Sequence, residues 1–200
     1  FAPVATVTSN ELILVVHPSI PANNLQEFIA LAKSRPGQLN YASSSIGGQP
    51  HLVGELFDIM TGTKMQHIPY KGAGQILPDL IGGQVELAFT NPVNAIPHIK
   101  TGQLKVIAIT GEARLSALPQ VPTFTEAGLP GFEVRNWNGV FAPAGTQKEV
   151  IDKLATELAK IMAMPDIKEK LASQGMEPFV STPDQFAALI KAEIAKFAKI

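Results

Sequence analysis

The sequence contains no cysteine. That excludes disulfides, thiolate metal sites and cysteine nucleophiles, while leaving both exported and cytosolic compartments open. Charge is also scarce: 16% of residues are Asp, Glu, Lys or Arg, the formal net charge is −1, and no Lys/Arg run exceeds a pair. Nucleic acid is therefore not an expected partner, because neutralising phosphates needs clustered cations. Apolar runs such as Leu12–Val16 are far too short to span a bilayer.

The constellations of common catalysts are missing as well. There is no Gly-x-Ser-x-Gly elbow, no Gly-x-Gly-x-x-Gly and no phosphate-loop motif ending in Gly-Lys-[Ser/Thr]. His17, His51, His67 and His98 lack metal-ligand spacing, and Asp58, Asp79 and Glu86 are scattered. A nucleophile–base reading of Ser44 or Ser45 with His51 fails because His51 falls inside a helix rather than on a facing loop. No catalytic residue, metal ligand or cofactor site is assigned, and the chain is not expected to be an enzyme.

What is present is an apolar chain, 46% hydrophobic over 200 residues, enough for one or two domains with a sizeable core. The aliphatic run Glu11–His17, closed by Pro18, predicts a strand buried on both faces. Strands are further predicted at 39–42, 65–70, 85–89 and 104–110, with apolar helical stripes between them. Strand and helix alternating at short intervals predict a mostly parallel α/β sheet. A looser connector follows from Gly111 to Gly131, with one short helix expected at Thr123–Ala127. Residues 132–143 read as one extended segment. Helices at 148–164, 165–174 and from Thr182 on surround a short strand at 177–181. This tail has too few strands for its own sheet, and its one-sided helices call for a surface to pack on.

One stretch organises the rest: Tyr41-Ala42-Ser43-Ser44-Ser45-Ile46-Gly47-Gly48-Gln49-Pro50-His51-Leu52. A strand end passes through small hydroxyl and glycine residues into an apolar helix. The first helical turn leaves N–H groups without intrahelical partners, and the macrodipole favours negative charge there. Ser43, Ser44 and Ser45 add hydroxyl donors, and Gly47 and Gly48 allow close approach. An anion cradle is one reading; an ordinary turn and helix cap is the other. Two further strand-to-helix turns are small and polar, one holding Tyr70, Gly72 and Gly74, the other Thr90 and Asn91. In a parallel sheet all three lie on one rim, beyond the strand ends, where ligands bind. Gly72 and Gly74 would again present bare N–H groups.

In this order the turns resemble the periplasmic solute-binding proteins of tripartite tricarboxylate transporters, the Bug family. The resemblance runs along essentially the whole chain. Its most specific carriers are Pro69-Tyr70-Lys71-Gly72 and Leu118-Pro119-x-Val121-Pro122-Thr123-x-x-Glu126-Ala127-Gly128. Further carriers are Pro36-Gly37-x-Leu39-x-Tyr41-Ala42-Ser43, His51-Leu52, Trp137-x-Gly139 and Ala142-Pro143-Ala144-Gly145-Thr146. It implies a type II periplasmic-binding-protein-like fold, a two-lobed Venus flytrap that closes on a small organic acid. Residues 6–135 would form lobe II. Residues 1–5 and 136–200 would supply crossover strands and a remnant of lobe I, whose N-terminal part is absent.

The implied ligand-binding residues are Ser43, Ser44, Ser45, Gly47, Gly48, His51, Tyr70, Gly72, Thr90 and Asn91. The implied partners are a carboxylate and membrane transporter subunits, with a monomeric, periplasmic protein. A sensor that signals to a membrane receptor is the alternative role. Family members usually read Ser-x-Gly-x-Gly-Ser through the cradle, where this chain has Ser45 and Gly48 at the second and fourth marked positions. That departure predicts a strained positive φ at Ser45 and an altered ligand or contact.

Overall fold

Four of the five residues from Val4 to Thr8 are β-branched, and the first strand accordingly runs far past the start of the chain. The computed structural model describes residues 1–198 and 200, and its chain divides into two units: Phe1–Asn10 with 136–198, and Glu11–Arg135. Strand β1 (Ala2–Glu11) is ten residues long. The first division therefore falls after Asn10 rather than after residue 5, because Thr8 and Ser9 still pair with Pro178 and Glu177.

The Glu11–Arg135 unit is built on a five-stranded sheet of β2 (Ile13–Val16), β3 (Asn40–Ser43), β4 (Gln66–Pro69), β5 (Leu87–Thr90) and β6 (Lys105–Ile109). The spatial order is β4-β3-β5-β2-β6. β3 pairs with β4 and with β5 in parallel, whereas β2 runs antiparallel to both β5 and β6. The aliphatic run at Ile13–Val16 thus owes its complete burial to a central position, not to parallel neighbours. Helices α1 (Leu25–Ser34), α2 (Gln49–Thr61), α3 (Ile76–Ile81) and α4 (Pro92–Lys100) connect the strands.

Side chains alternate across a strand, so the sheet carries two cores. One gathers Ile13, Val15, Ala42, Leu80, Ala88 and Ile109. An aromatic cluster of Phe57, Phe89, Phe124 and Phe132 forms another, with Phe124 and Phe132 centroids 4.4 Å apart. The helix expected at Thr123–Ala127 is a single turn: Ala127 N donates to Thr123 O, and the Glu126 carboxylate accepts from Thr123 N. Pro122 before it and Gly128 (φ 92°) after it leave no room to propagate.

Two glycines are required by close packing. A Cβ on Gly54 of α2 would collide with the Tyr41 ring, and one on Gly139 with the Phe186 ring.

The other unit holds a three-stranded sheet in the order β7 (Arg135–Ala142), β1, β8 (Glu177–Pro178), with helices α5 (Lys148–Ala163), α6 (Pro165–Ser173) and α7 (Pro183–Phe197). Thr182 and Gln185 form a reciprocal capping box at the start of α7. Phe186 is fully buried and meets Trp137 edge-on at 5.2 Å and Phe141 at 4.8 Å. By contrast, no residue of α5 or α6 is buried, and Val150, Leu154 and Ile161 of α5 stay exposed. No described helix is long and apolar enough to cross a membrane.

Candidate functional site

Parallel pairing of β3 with β4 and β5 brings the carboxyl ends of three strands side by side. Ser43 is in register with Pro69, and Ala42 with Ala88. The loops that follow are tied to each other by backbone bonds: Tyr70 N donates to Ser43 O (2.8 Å) and Gly72 N to Ser44 O (3.1 Å). The Ser43–His51, Tyr70–Gly72 and Thr90–Asn91 turns therefore share one rim.

The loop residues do different jobs. Ser43 is fully buried, its hydroxyl donating to Ser45 O (2.9 Å) and pairing with His67 Nε2 (2.6 Å). A hydroxyl has one proton; with that proton on the Ser45 carbonyl, His67 Nε2–H must be the donor to Ser43. A general base would need the opposite direction. Ser44 is partly exposed and Ser45 exposed, and among the described residues neither hydroxyl has a hydrogen-bond partner. Ile46, at the loop tip, is 76% exposed.

Gly47 carries the positive φ of the loop (73°), and among the described residues no non-glycine residue has one. The strain expected at Ser45 is therefore absent. Gly48 caps α2 with extended geometry and no side-chain bond, Pro50 sits in the first turn, and Gly62 (φ 65°) closes the helix. The first turn of α2, with its N–H groups, thus faces the hydroxyl loop.

Several groups expected to be open are committed within the protein. Gly72 N is bound to Ser44 O, so it presents no bare N–H; the glycine serves the turn through its φ of 107°. Gly47 N donates to His51 Nδ1 at 3.1 Å. Asn91 Oδ1 caps α4 by accepting from Val93 N at 3.0 Å. Tyr70 Oη donates to Asp79 Oδ2 at 2.7 Å, and burial with this carboxylate pushes the phenol up to about 12. Thr90 ends β5, partly exposed.

Beneath the loop lies a polar aromatic stack that spacing alone does not reveal. The β3–β4 register sets Tyr41 opposite His67, with ring centroids 4.9 Å apart. His51 of α2 stacks on His67 at 3.9 Å, 28° from parallel. Tyr41 Oη donates to Glu55 Oε1 at 2.6 Å, and His51 Nε2 lies 3.7 Å from the same oxygen. Burial, then Glu55, raise the Tyr41 phenol far above its ordinary range, while burial and the neighbouring His51 lower His67. His51 and Glu55, four apart on a helix, were the one legible pair; the strand partners follow only from register. Among the described residues no three acidic or imidazole groups gather as metal ligands would.

An open groove lies elsewhere. It measures about 860 Å³, lies between α5 and the start of α7, and includes none of the loop residues.

The profile of the family described as the tripartite tricarboxylate transporter family receptor matches residues 1–200. BugT of Bordetella pertussis is 36% identical over 198 residues, covering 99% of this chain and 61% of BugT. Among solved structures, R. palustris Rpa4515 with adipate superposes with a TM-score of 0.86 at 35% identity, covering 100% of this chain and 67% of that one. MatC (Rpa3494) from Rhodopseudomonas palustris with bound malate gives 0.84 at 30% identity, covering 98% and 68%. The chain thus spans about three fifths of BugT's length and two thirds of these structures. It belongs to the receptor family of the tripartite tricarboxylate transporters, that of the Bug proteins.

Proposed function

We propose that the chain is the greater part of a periplasmic solute-binding protein that captures a small organic acid for a tripartite tricarboxylate-type transporter. In this reading Glu11–Arg135 is one lobe, and the unit containing Asn136–Phe197 is part of the other. The acid's carboxylate sits on the hydroxyl loop at the N-terminus of α2.

The observation that carries the proposal is the pair of unpartnered hydroxyls, Ser44 and Ser45, set against the first turn of a 13-residue helix. Hydroxyl donors and the positive helix end together offset one negative charge without a cation. Ser44, Ser45 and the α2 amides would make the direct contacts, with Thr90 and Asn91 near the ligand's far end. Ser43, Gly47, Gly48, His51, Tyr70 and Gly72 would shape the loop. Selectivity would come from polar groups that the wrong acid leaves unpaired. Adipate and malate, the acids named with two of its relatives, head the set of candidates.

Calorimetry on the protein at full length, against di- and tricarboxylates, aromatic acids and acidic amino acids, tests this reading. Heat saturating at a one-to-one ratio for one of these classes is the expected result. Silence from the whole panel at about millimolar concentration, where even a 4 kcal/mol interaction registers, overturns it.

A further inference from the structure

The Gly47 amide is a loop donor held by a titratable side chain. An amide can only donate, so His51 Nδ1, 3.1 Å away, is unprotonated and its ring proton sits on Nε2, facing Glu55 Oε1 at 3.7 Å. We infer that His51 is a proton-operated latch on the loop: neutral, it holds the Gly47 N–H; protonated at Nδ1, it lets that N–H go.

The surroundings determine which ring takes the proton. From α2 itself Glu55 faces His51, with Asp58 one turn further along toward Tyr41; Tyr41 approaches from β3 and His67 from β4. Two imidazolium rings stacked at 3.9 Å would repel strongly in a setting drier than water, so the stack accepts one proton, not two. His67 is the poorer acceptor. Burial and the neighbouring His51 hold its protonation down. His51 Nε2 lies 3.7 Å from Glu55 Oε1.

The consequence rests on the carboxylate reading above. Protonation of His51 converts an acceptor into a donor at the loop, frees a backbone N–H and adds positive charge next to the bound anion. Anion capture and proton uptake are then linked, each favouring the other. His51 acts here as a positioning residue, through the Gly47 amide.

The test follows the Gly47 amide and the two imidazole rings by NMR while the protein is taken from about pH 8 to about pH 5, the span in which histidine titrates. The expected result is a Gly47 amide proton moving upfield with the same midpoint as the His51 ring, before His67 gains a proton. In His51→Gln, whose side chain accepts a hydrogen bond but does not titrate, the Gly47 shift should vanish. A Gly47 amide that stays put while the His51 ring titrates, or a His67 ring protonated first, overturns the latch.

A second arm measures adipate affinity over the same range. Linkage to one proton predicts up to about tenfold tighter binding per pH unit lowered across the His51 titration, lost in His51→Gln. A titrating amide with pH-independent adipate affinity overturns the coupling. Absence of adipate binding at every pH counts against the carboxylate reading, while the latch itself is decided by the ligand-free titration.

Discussion

The Leu12 amide donates to Thr110 Oγ1 at 3.0 Å, both residues being almost wholly buried. The same hydroxyl donates to Val134 O at 2.7 Å, and the backbones exchange further bonds, Thr110 N to Leu12 O and Val134 N to Thr110 O. One side chain thus clamps the two segments that begin and end the Glu11–Arg135 unit.

Thr110→Val keeps the shape and removes the hydroxyl. A buried N–H and a buried C=O lose a partner together, which costs about 2–4 kcal/mol of stability. Thr110→Ser retains both bonds and loses only a methyl, about 1 kcal/mol. Urea unfolding of the two variants checks this; a Val variant as stable as the Ser variant would remove the clamp from the account.

Gly54 sits where the Tyr41 ring crosses α2, with no space for a Cβ. Gly54→Ala should therefore destabilise by roughly 1–3 kcal/mol through overpacking, although alanine is the better helix former. In a double-mutant cycle with Tyr41→Leu, the two losses should not add, since the smaller side chain leaves room for the new methyl. Strictly additive losses would mean that helix and ring do not meet there.

What could be read in advance divides along physical lines. Local signals (the Pro18 stop, aliphatic runs, apolar helical stripes) placed most of the strands and the later helices to within a few residues, whereas β1 runs on to Glu11. Direction was not legible: Ile13–Val16 looks the same whether its neighbours run parallel or antiparallel, because burial, not polarity, sets its composition. At the loop, residue types announced an anion-friendly turn, but not which hydroxyl is spent inward. That depends on the β3–β4 register, which turns Ser43 to His67 and leaves Ser44 and Ser45 free.

This difference predicts opposite behaviour for adjacent serines. Ser44→Ala and Ser45→Ala should each weaken carboxylate binding by roughly 1–2 kcal/mol, about five- to thirtyfold, and leave stability nearly unchanged. Ser43→Ala removes a buried hydroxyl bound to Ser45 O and His67, and should cost about 1–2 kcal/mol of stability instead. Calorimetry and thermal unfolding of the three variants separate the roles. Unchanged affinity for both Ser44 and Ser45 variants would make the loop a structural turn.

Stability should also depend on pH through the ring stack. His67 is lowered from its ordinary value of 6.5 by burial and by His51. The unfolded chain therefore binds a proton there at a higher pH than the folded one does. His67's contribution is complete above about pH 6.5 and is lost as pH falls from there through its depressed folded value. Tyr41 works in the other direction: its phenol is raised by burial and by Glu55, so the folded state keeps a proton that the unfolded chain releases. That contribution is complete below about pH 10 and is lost as pH rises beyond it. Urea unfolding across pH should show both slopes. In His67→Gln, which can still donate to Ser43, the acid slope should shrink while the alkaline one remains. An acid slope as steep in His67→Gln as in the unaltered protein would assign it to other groups.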